Sequence, residues 1–466
     1  MQKADTANTC AIILAAGDGK RMRSQSPKVL NEVLFEPMLK WVISACQNAK
    51  VDKLCVVAGY KHEEIQGFLH PKYEDISIAI QHDRKGTAHA VMQAVDFLRH
   101  NNPRDTLVLC GDAPFIDEQT ITASYNQHIA NQSGVTVITA RLENPTGYGR
   151  IIRNEQGITS IVEQRDCTSN QLAIDEVNSG AYWFNTQCLL DALEKIDCNN
   201  AAGEYYLTDA VGVILQSGKK ADAYIAADEG VTLGANDRRT LYSLNQIAKE
   251  NAIERHFENG VEFVSLDGVI IGREVKIGAG TRILPGVILK GKTQIGENCV
   301  LGPNTVIEDS IVGDGTILNS VQAYQSEIGS HVKIGPFVHI RPNSKIHDRV
   351  KIGDFVEVKN SEIGEKTSIS HLTYVGDSDV GSGVNFGCGV VTVNYDGKNK
   401  SRTTIGDNAF IGCNTNLVAP VNVGKGAYTA AGSTITKNIP DDALAIERAQ
   451  LVIKEGYAKR KLKPKD

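Results

Sequence analysis

A glycine-rich turn, nearby cations, an isolated carboxylate and one histidine carry the chemistry this chain could perform. The apolar run 10–16 leads into Gly17-Asp18-Gly19-Lys20-Arg21-Met22, and Lys28 follows shortly after. Glycines let backbone N–H groups close on phosphate oxygens, and Arg21 and Lys28 add positive charge. The loop is not a Walker A motif and lacks the third glycine of a dinucleotide fingerprint. Gly-x-Gly after a strand is equally well a plain turn. Asp112 ends an apolar run, where a carboxylate can hold Mg²⁺ or simply close a turn. His371 stands in Ile369-Ser370-His371-Leu372-Thr373-Tyr374. Its imidazole, with an ordinary pKa of about 6.5, suits proton removal from an attacking amine, although a lone surface histidine is more often idle.

Two kinds of element must position these groups. Up to about residue 236 short apolar runs alternate with helical patterns, which predicts a mostly parallel sheet with helices on both faces. Strands are expected at 10–16, 53–58, 76–80, 106–110 and 135–140, with helices at 38–48 and 88–98. Residues 237–257 read as one helix, with Leu241, Leu244, Ala248 and Ala252 on one face and Asn259-Gly260 as its stop. The expected organisation is a first domain over 1–238, a helical linker over 239–259 and a second domain over 260–466.

Beyond that helix a branched aliphatic recurs every sixth residue. One run is Ile271, Ile277, Ile283, Leu289, Ile295, Leu301 and Ile307; a second is Ile328, Ile334, Ile340, Ile346, Ile352 and Val358; a third is Ile405, Ile411, Leu417, Val423 and then Ile435. A period of six fits neither a helix nor a simple amphipathic strand and marks a repeat architecture. Each hexapeptide supplies a short strand and a corner, and stacked strands about 4.8 Å apart place like residues on like. Burying each aliphatic contributes roughly 1.5–3 kcal/mol, most of it offset by ordering entropy. The polar segment from Asn394 to Ser401 interrupts the ladder, and loops on a rigid scaffold are favoured places for binding residues. His371 lies two places after a ladder position, off the inward slot.

Composition bounds the function. A chain of 466 residues with 41% hydrophobic and 22% charged content reads as a soluble globular protein of two or three domains. A formal charge of −6 argues against a nucleic-acid binder. The ten cysteines show neither CxxC pairs nor zinc spacing, as expected of reduced thiols in a cytoplasmic protein. No run approaches the roughly 20 apolar residues of a membrane span, and the run at 10–16 is too short for a signal peptide.

Leu-Ala-Ala-Gly-x-Gly-x-Arg-Met followed by Pro27-Lys28 resembles the nucleotidyltransferases that join a sugar 1-phosphate to a nucleoside triphosphate. Further matches follow in order: Gln81, Gly86-Thr87, Gly111-Asp112, Gly147-Tyr148-Gly149-Arg150, Glu163, Asn178-Ser179-Gly180, Glu204 to Asp209 and Asn236. Together with the ladder, the whole chain resembles the family of bifunctional N-acetylglucosamine-1-phosphate uridyltransferases/glucosamine-1-phosphate acetyltransferases. The resemblance implies an α/β fold: a Rossmann-like nucleotidyltransferase domain followed by a left-handed parallel β-helix. It implies that acetyl passes from acetyl-CoA to the amine of glucosamine 1-phosphate, and that the product is then coupled to UTP with release of pyrophosphate.

Site residues follow from the same resemblance. Leu14, Ala15, Ala16, Gly17, Gln81, Gly86 and Thr87 would hold the uridine part, with Lys28 on the phosphates. Gly149, Glu163, Asn178 and Asn236 would hold the sugar phosphate, and Asp112 and Asn236 would hold Mg²⁺. His371 would be the general base of acetyl transfer, with Arg341, Lys359, Tyr374 and Asn385 on the sugar phosphate. Cys388, Asn394, Tyr395, Cys413, Ala431 and Arg448 would line the acetyl-CoA groove. Cys388, Val390 and Cys413 depart from the residues usual in that pattern, which touches the coenzyme contacts. A homotrimer is implied, while the basic tail 454–465 reads as a solvated end. The competing expectation is a single-activity sugar-1-phosphate nucleotidyltransferase whose β-helix serves only assembly or regulation.

Overall fold

Residues 9–15, Thr-Cys-Ala-Ile-Ile-Leu-Ala, are apolar on both faces, as a strand covered on both sides must be. In the computed structural model, which describes residues 8–70, 72–155, 157–200 and 203–461, they form strand β1 (Thr9–Ala15) of a nine-stranded sheet. The others are β2 (Lys53–Ala58), β3 (Ser77–Ile80), β4 (Asp105–Cys110), β5 (Val135–Arg141), β6 (Arg150–Asn154), β7 (Gly157–Val162), β8 (Glu176–Asn185) and β9 (Ala221–Ile225). The order is β9-β5-β8-β4-β1-β2-β3, with the β6–β7 hairpin paired to β8. All five expected strands are present, each within one residue of its expected ends.

The sheet is mostly parallel, but β8 runs antiparallel to both β4 and β5. Its register against β5 slips between Asn178 and Ala181, where Gly180 takes φ +80°. Such a bulge re-aims side chains next to a site. The helix at Met38–Asn48 is as expected, whereas the one expected over 88–98 is two, Thr87–Met92 and Val95–Asn101. Between them the N–H groups of Gln93 and Ala94 bond to the carbonyls of Ala90 and Val91, three residues back, which tightens the turn and breaks the α pattern.

The helix Arg238–Glu258 is capped by Asp237, whose Oδ1 accepts from the Thr240 N–H at 2.8 Å. It stops where Gly260, at φ +79°, donates to the Phe257 carbonyl. Two compact units meet inside it, one ending at Ala248 and the other starting at Lys249. Within the first unit the Asn245 side chain accepts from the Leu34 N–H at 3.0 Å.

The second unit is a parallel β-helix. Its short strands stack into three sheets of 11, 10 and 9 strands, one for each side of a three-sided coil. Ile271 pairs in register with Leu289, and Leu289 with Ile307, so one turn takes three hexapeptides. Every ladder residue named above is buried. Between the first two runs Val312, Leu318 and Ala323 occupy inward slots, and the steps into Val312 and Ala323 are five residues instead of six. Threonines near the corners donate to carbonyls of the next turn, as Thr281 does to Gly296, Thr316 to Gly329 and Thr367 to Gly381 at 2.8 Å each. Corner residues sit at positive φ, mainly Gly, Asn and Asp, but one column holds Phe337, Phe355 and Leu372 at +57°, +57° and +47°.

Candidate functional site

In the first unit, the C-terminal end of β1 and the loops beside it close around a cavity of about 590 Å³. Leu14, Ala15, Ala16, Gly17, Lys28, Gln81, Gly86 and Thr87 all line it, as does Asp112. Gln81 is nearly fully buried, and its amide nitrogen donates to the Gly86 carbonyl at 3.2 Å and meets His89 Nδ1 at 2.9 Å. Gly86 sits at φ +108°, and a Cβ there would run into the backbone of Tyr205. Only glycine fits. Tyr205 closes the contact through Tyr205 N–H to Lys85 O at 2.8 Å and Ala88 N–H to Tyr205 O at 2.9 Å, and Leu207 N–H donates to Thr87 Oγ1. The segment Glu204–Leu207 is thus a strap across the Gly86-Thr87 turn.

Lys28 is the hub of the charged end. Its ammonium forms an ion pair with Asp112 and donates to Asn236 Oδ1 at 2.9 Å. Two oxygen donors therefore converge on one positive charge. Arg21, expected to add charge, does not line the cavity; Lys20 and Arg84 do, and Arg84 pairs with Asp18 at 2.6 Å. Cys110 lines the wall, and burial together with the Asp112 charge pushes its thiol up to about 12. It behaves as a small apolar group.

A second cavity of about 360 Å³ shares Leu14, Thr87, Cys110 and Glu204 with the first. Glu163 and Asn178 line it. Gly149 lies beside it: its carbonyl accepts from the Asn178 N–H at 2.9 Å, and a Cβ there would touch Glu163. Asn178 stands in the β8 bulge and donates to the Tyr182 hydroxyl at 2.6 Å. Burial, reinforced by Asp166 and Asp209, raises the Glu163 carboxyl above its usual range. The pair of cavities joins a cationic, glycine-lined end to an acidic, amide-bearing one.

The second unit distributes its candidates over two corners of the coil. His371 ends the strand Ser368–His371 with its side chain 59% exposed, and Nδ1 lies 3.8 Å from the Asp354 carboxylate one turn below. Continuing that register, Cys388, Cys413 and Ala431 stack above it, tied by N–H donation from Gly389 to His371 O, Asn414 to Cys388 O and Gly432 to Cys413 O. Arg448 completes the column by donating to the Ala431 carbonyl at 2.9 Å. Asn385 lies on the face leading into this corner, and Val390 is buried in the core.

The other corner carries Arg341 and Lys359, which follow the stacked Ile340 and Val358. Arg341 pairs with Glu357 at 2.9 Å and Lys359 with Asp377 at 3.4 Å. The Tyr374 hydroxyl lies over Gly376 on this side. Buried Asp377 also receives the amides of Asn360 (2.6 Å) and Asn394. Burial works against its charge, but these donors and Lys359 hold its carboxyl below the usual range. Tyr395, exposed, bridges to Lys400 across the inserted loop. Within one chain His371 and the Arg341–Lys359 pair therefore face different corners.

Asp354, Asp377 and Arg84 carry contacts that composition and spacing did not single out, since coil register and loop closure alone bring them to the sites. The tail positions 462–465 lie outside the described residues, and 457–461 form a short exposed helix.

Comparisons agree with both halves. The nucleotidyl transferase family matches residues 10–237, and the bacterial transferase hexapeptide family (six repeats) matches 274–309, 325–360 and 402–437. A bifunctional protein GlmU from Geobacillus sp. (strain WCH70) is 47% identical over 451 residues, covering 97% of each chain. Proteins of the same description from Thermoanaerobacter pseudethanolicus and Listeria monocytogenes serotype 4a are 47% and 44% identical over 453 and 450 residues, covering 97% and 96% of this chain and 98% of each relative. With both units matched in order over nearly the full length of those relatives, the chain belongs to the bifunctional GlmU family.

Proposed function

We propose that each unit performs one of two successive transfers at the sites described. The chain is a uridyltransferase and an acetyltransferase of UDP-N-acetylglucosamine synthesis. The observation that carries the first assignment is the convergence of Lys28, Asp112 and Asn236 beside the Gln81–Thr87 wall. The phosphate oxygen of N-acetylglucosamine 1-phosphate attacks the α-phosphorus of UTP in line, and pyrophosphate leaves. Such transfers depend on positioning and charge neutralisation more than on covalent help. Lys28 counters phosphate charge, Gln81 and the backbone of Leu14–Gly17 hold the uridine, and Glu163, Asn178 and Gly149 hold the sugar.

Asp112 and Asn236 suit Mg²⁺. Both offer oxygen, and both already meet on a cation, the Lys28 ammonium. No group of three or more His, Cys, Asp or Glu side chains able to hold a metal occurs among the described residues, so substrate phosphates and water would complete the shell. When bound, the ion supplies charge neutralisation of the triphosphate.

In the second unit the amine of glucosamine 1-phosphate attacks the thioester carbonyl of acetyl-CoA, His371 takes the amine proton, and the coenzyme thiolate leaves. Asp354 beside Nδ1 favours the proton on that nitrogen, leaving Nε2 as the base. Cys388, Cys413, Ala431 and Arg448 line the coenzyme groove above His371, with Asn394 and Tyr395 bounding it from the inserted loop. Arg341, Lys359, Tyr374 and Asn385 hold the sugar phosphate. A homotrimer would bring one copy's His371 corner against another copy's Arg341–Lys359 corner. The apolar column Phe337, Phe355 and Leu372 next to His371 supports this. Phe337 is 61% exposed, and its ring stacks on Phe355 at 5.5 Å between centroids. Bulky apolar side chains at positive φ and in water are costly unless another surface covers them.

No helix among the described residues is long and apolar enough to cross a membrane, and we place the enzyme in the cytoplasm. The acetyltransferase half begins after the long helix, near residue 260. Separate assays of coenzyme A release and pyrophosphate release test the assignment. His371→Ala should lower acetyl transfer by about 10²–10⁴-fold and leave uridyl transfer unchanged. Retained acetylation would remove His371 from the chemistry.

A further inference from the structure

A third cavity, of about 530 Å³, lies at the first turns of the β-helix, several turns before His371. Arg255, His256, Arg273, Lys276, Lys292 and Gln294 line it. The walls come from the last turn of the helix Arg238–Glu258 and from two successive coils, with Lys276 and Gln294 in register. It has no part in either transfer proposed above.

Two independent observations point to a ligand. His256 is 2% exposed, and neither of its ring nitrogens has a hydrogen-bond partner. A buried polar group left so is costly, and proteins rarely keep one without a use. Cations also crowd the lining with little to balance them. Arg255 donates to the Arg273 carbonyl at 2.9 Å, and Arg255, Lys276 and Lys292 have no carboxylate partner among the described residues. Burial and the nearby Arg273 hold the Arg255 guanidinium below its ordinary range. Among the described residues Glu274 is the one acidic side chain in the lining. Surface lysines alone would be a solvated face; a buried, unpaired imidazole in the same lining adds an N–H donor without an acceptor.

We propose that this cavity binds a phosphate-class anion, with Arg255, Lys276 and Lys292 countering its charge and the His256 ring donating a hydrogen bond. Free phosphate, pyrophosphate and a phosphomonoester share that chemistry. A halide does not, because it offers a single atom to donors spread over two coils and a helix end.

Amine-reactive labelling of the full chain, read residue by residue by mass spectrometry, tests this. The arms are inorganic phosphate, inorganic pyrophosphate, glycerol phosphate and chloride at matched ionic strength, without added Mg²⁺. Lys276 and Lys292 should label about tenfold more slowly at an anion concentration near ten times its Kd. Protection by pyrophosphate alone identifies a diphosphate site, protection by phosphate as well identifies a free-phosphate site, and protection by all three identifies a general phosphate-group site. Arg255→Gln and, separately, His256→Gln should each remove most of the protection while leaving both transfer activities at their basal rates. Lysines that label equally with and without all three phosphates, or that chloride protects as well, overturn the proposal. So does protection that survives in both variants.

Discussion

The two sites are built on opposite plans. The first unit's two cavities draw on residues from 14 to 208, with Asn236 joined through Lys28, far apart in sequence, yet every one belongs to one compact unit. The acetyl candidates lie within about a hundred residues, yet the coil turns them to two corners. A sheet with crossover connections gathers distant segments at one edge, as open α/β folds do. A three-sided coil does the reverse, since consecutive hexapeptides face different directions. The comparison teaches that nearness in sequence is no guide to completeness of a site. Under the proposed assembly the first site works within one copy, and the second needs a neighbour.

The sharpest way to break this contrast is to remove the apolar corner. Phe337→Asp with Phe355→Asp should dissociate the assembly in sedimentation and abolish coenzyme A release, while pyrophosphate release continues. A dissociated protein that still acetylates would show that one chain suffices. Next in size is Asp112→Ala, which should lower uridyl transfer on the order of 10²–10³-fold. The acetyl rate should not change. A parallel fall in both activities would mean that the two units are not independent.

The smallest effect concerns stability, and only in the second unit. Burial, with Arg255 nearby, lowers His256 from 6.5 to about 4. The unfolded chain then binds the extra proton between those values, so stability is lost as pH falls through that window. The full loss is on the order of 3 kcal/mol. The melting-temperature difference between wild type and His256→Phe should move against the wild type as pH drops from about 6.5 to about 4. Parallel melting curves at every pH would show that the ring is not a buried neutral one.

Much of this was legible beforehand, for reasons that differ by element. The ladder was readable because each inward slot demands the same kind of side chain, and one aliphatic per six residues survives any local accident. The five-residue steps into Val312 and Ala323 lie outside the three runs, where no unbroken period marks the inward slot. The residues lining the first cavity were recognisable because turns such as Gly86-Thr87 tolerate few substitutes. Strand β8 escaped because Asn178-Ser179-Gly180 breaks its alternation, and the same bulge sets Asn178 at the sugar end. Asp354 and Asp377 were invisible for a geometric reason. Their partners His371 and Asn394 are each seventeen residues on, one turn of the coil, and no local pattern announces such a pairing. His256 stands in the last turn of a helix, where no local pattern marks its burial.

Subunit complementation measures the central contrast most directly. His371→Ala and Lys359→Ala chains, each inactive in acetyl transfer, are co-expressed under different tags, and the mixed assemblies are purified through both. If the site joins one copy's His371 corner to another's Lys359 corner, the mixed species regains coenzyme A release while each parent stays silent. Mixed assemblies as inactive as their parents would place both residues of each site on one chain and contradict the account.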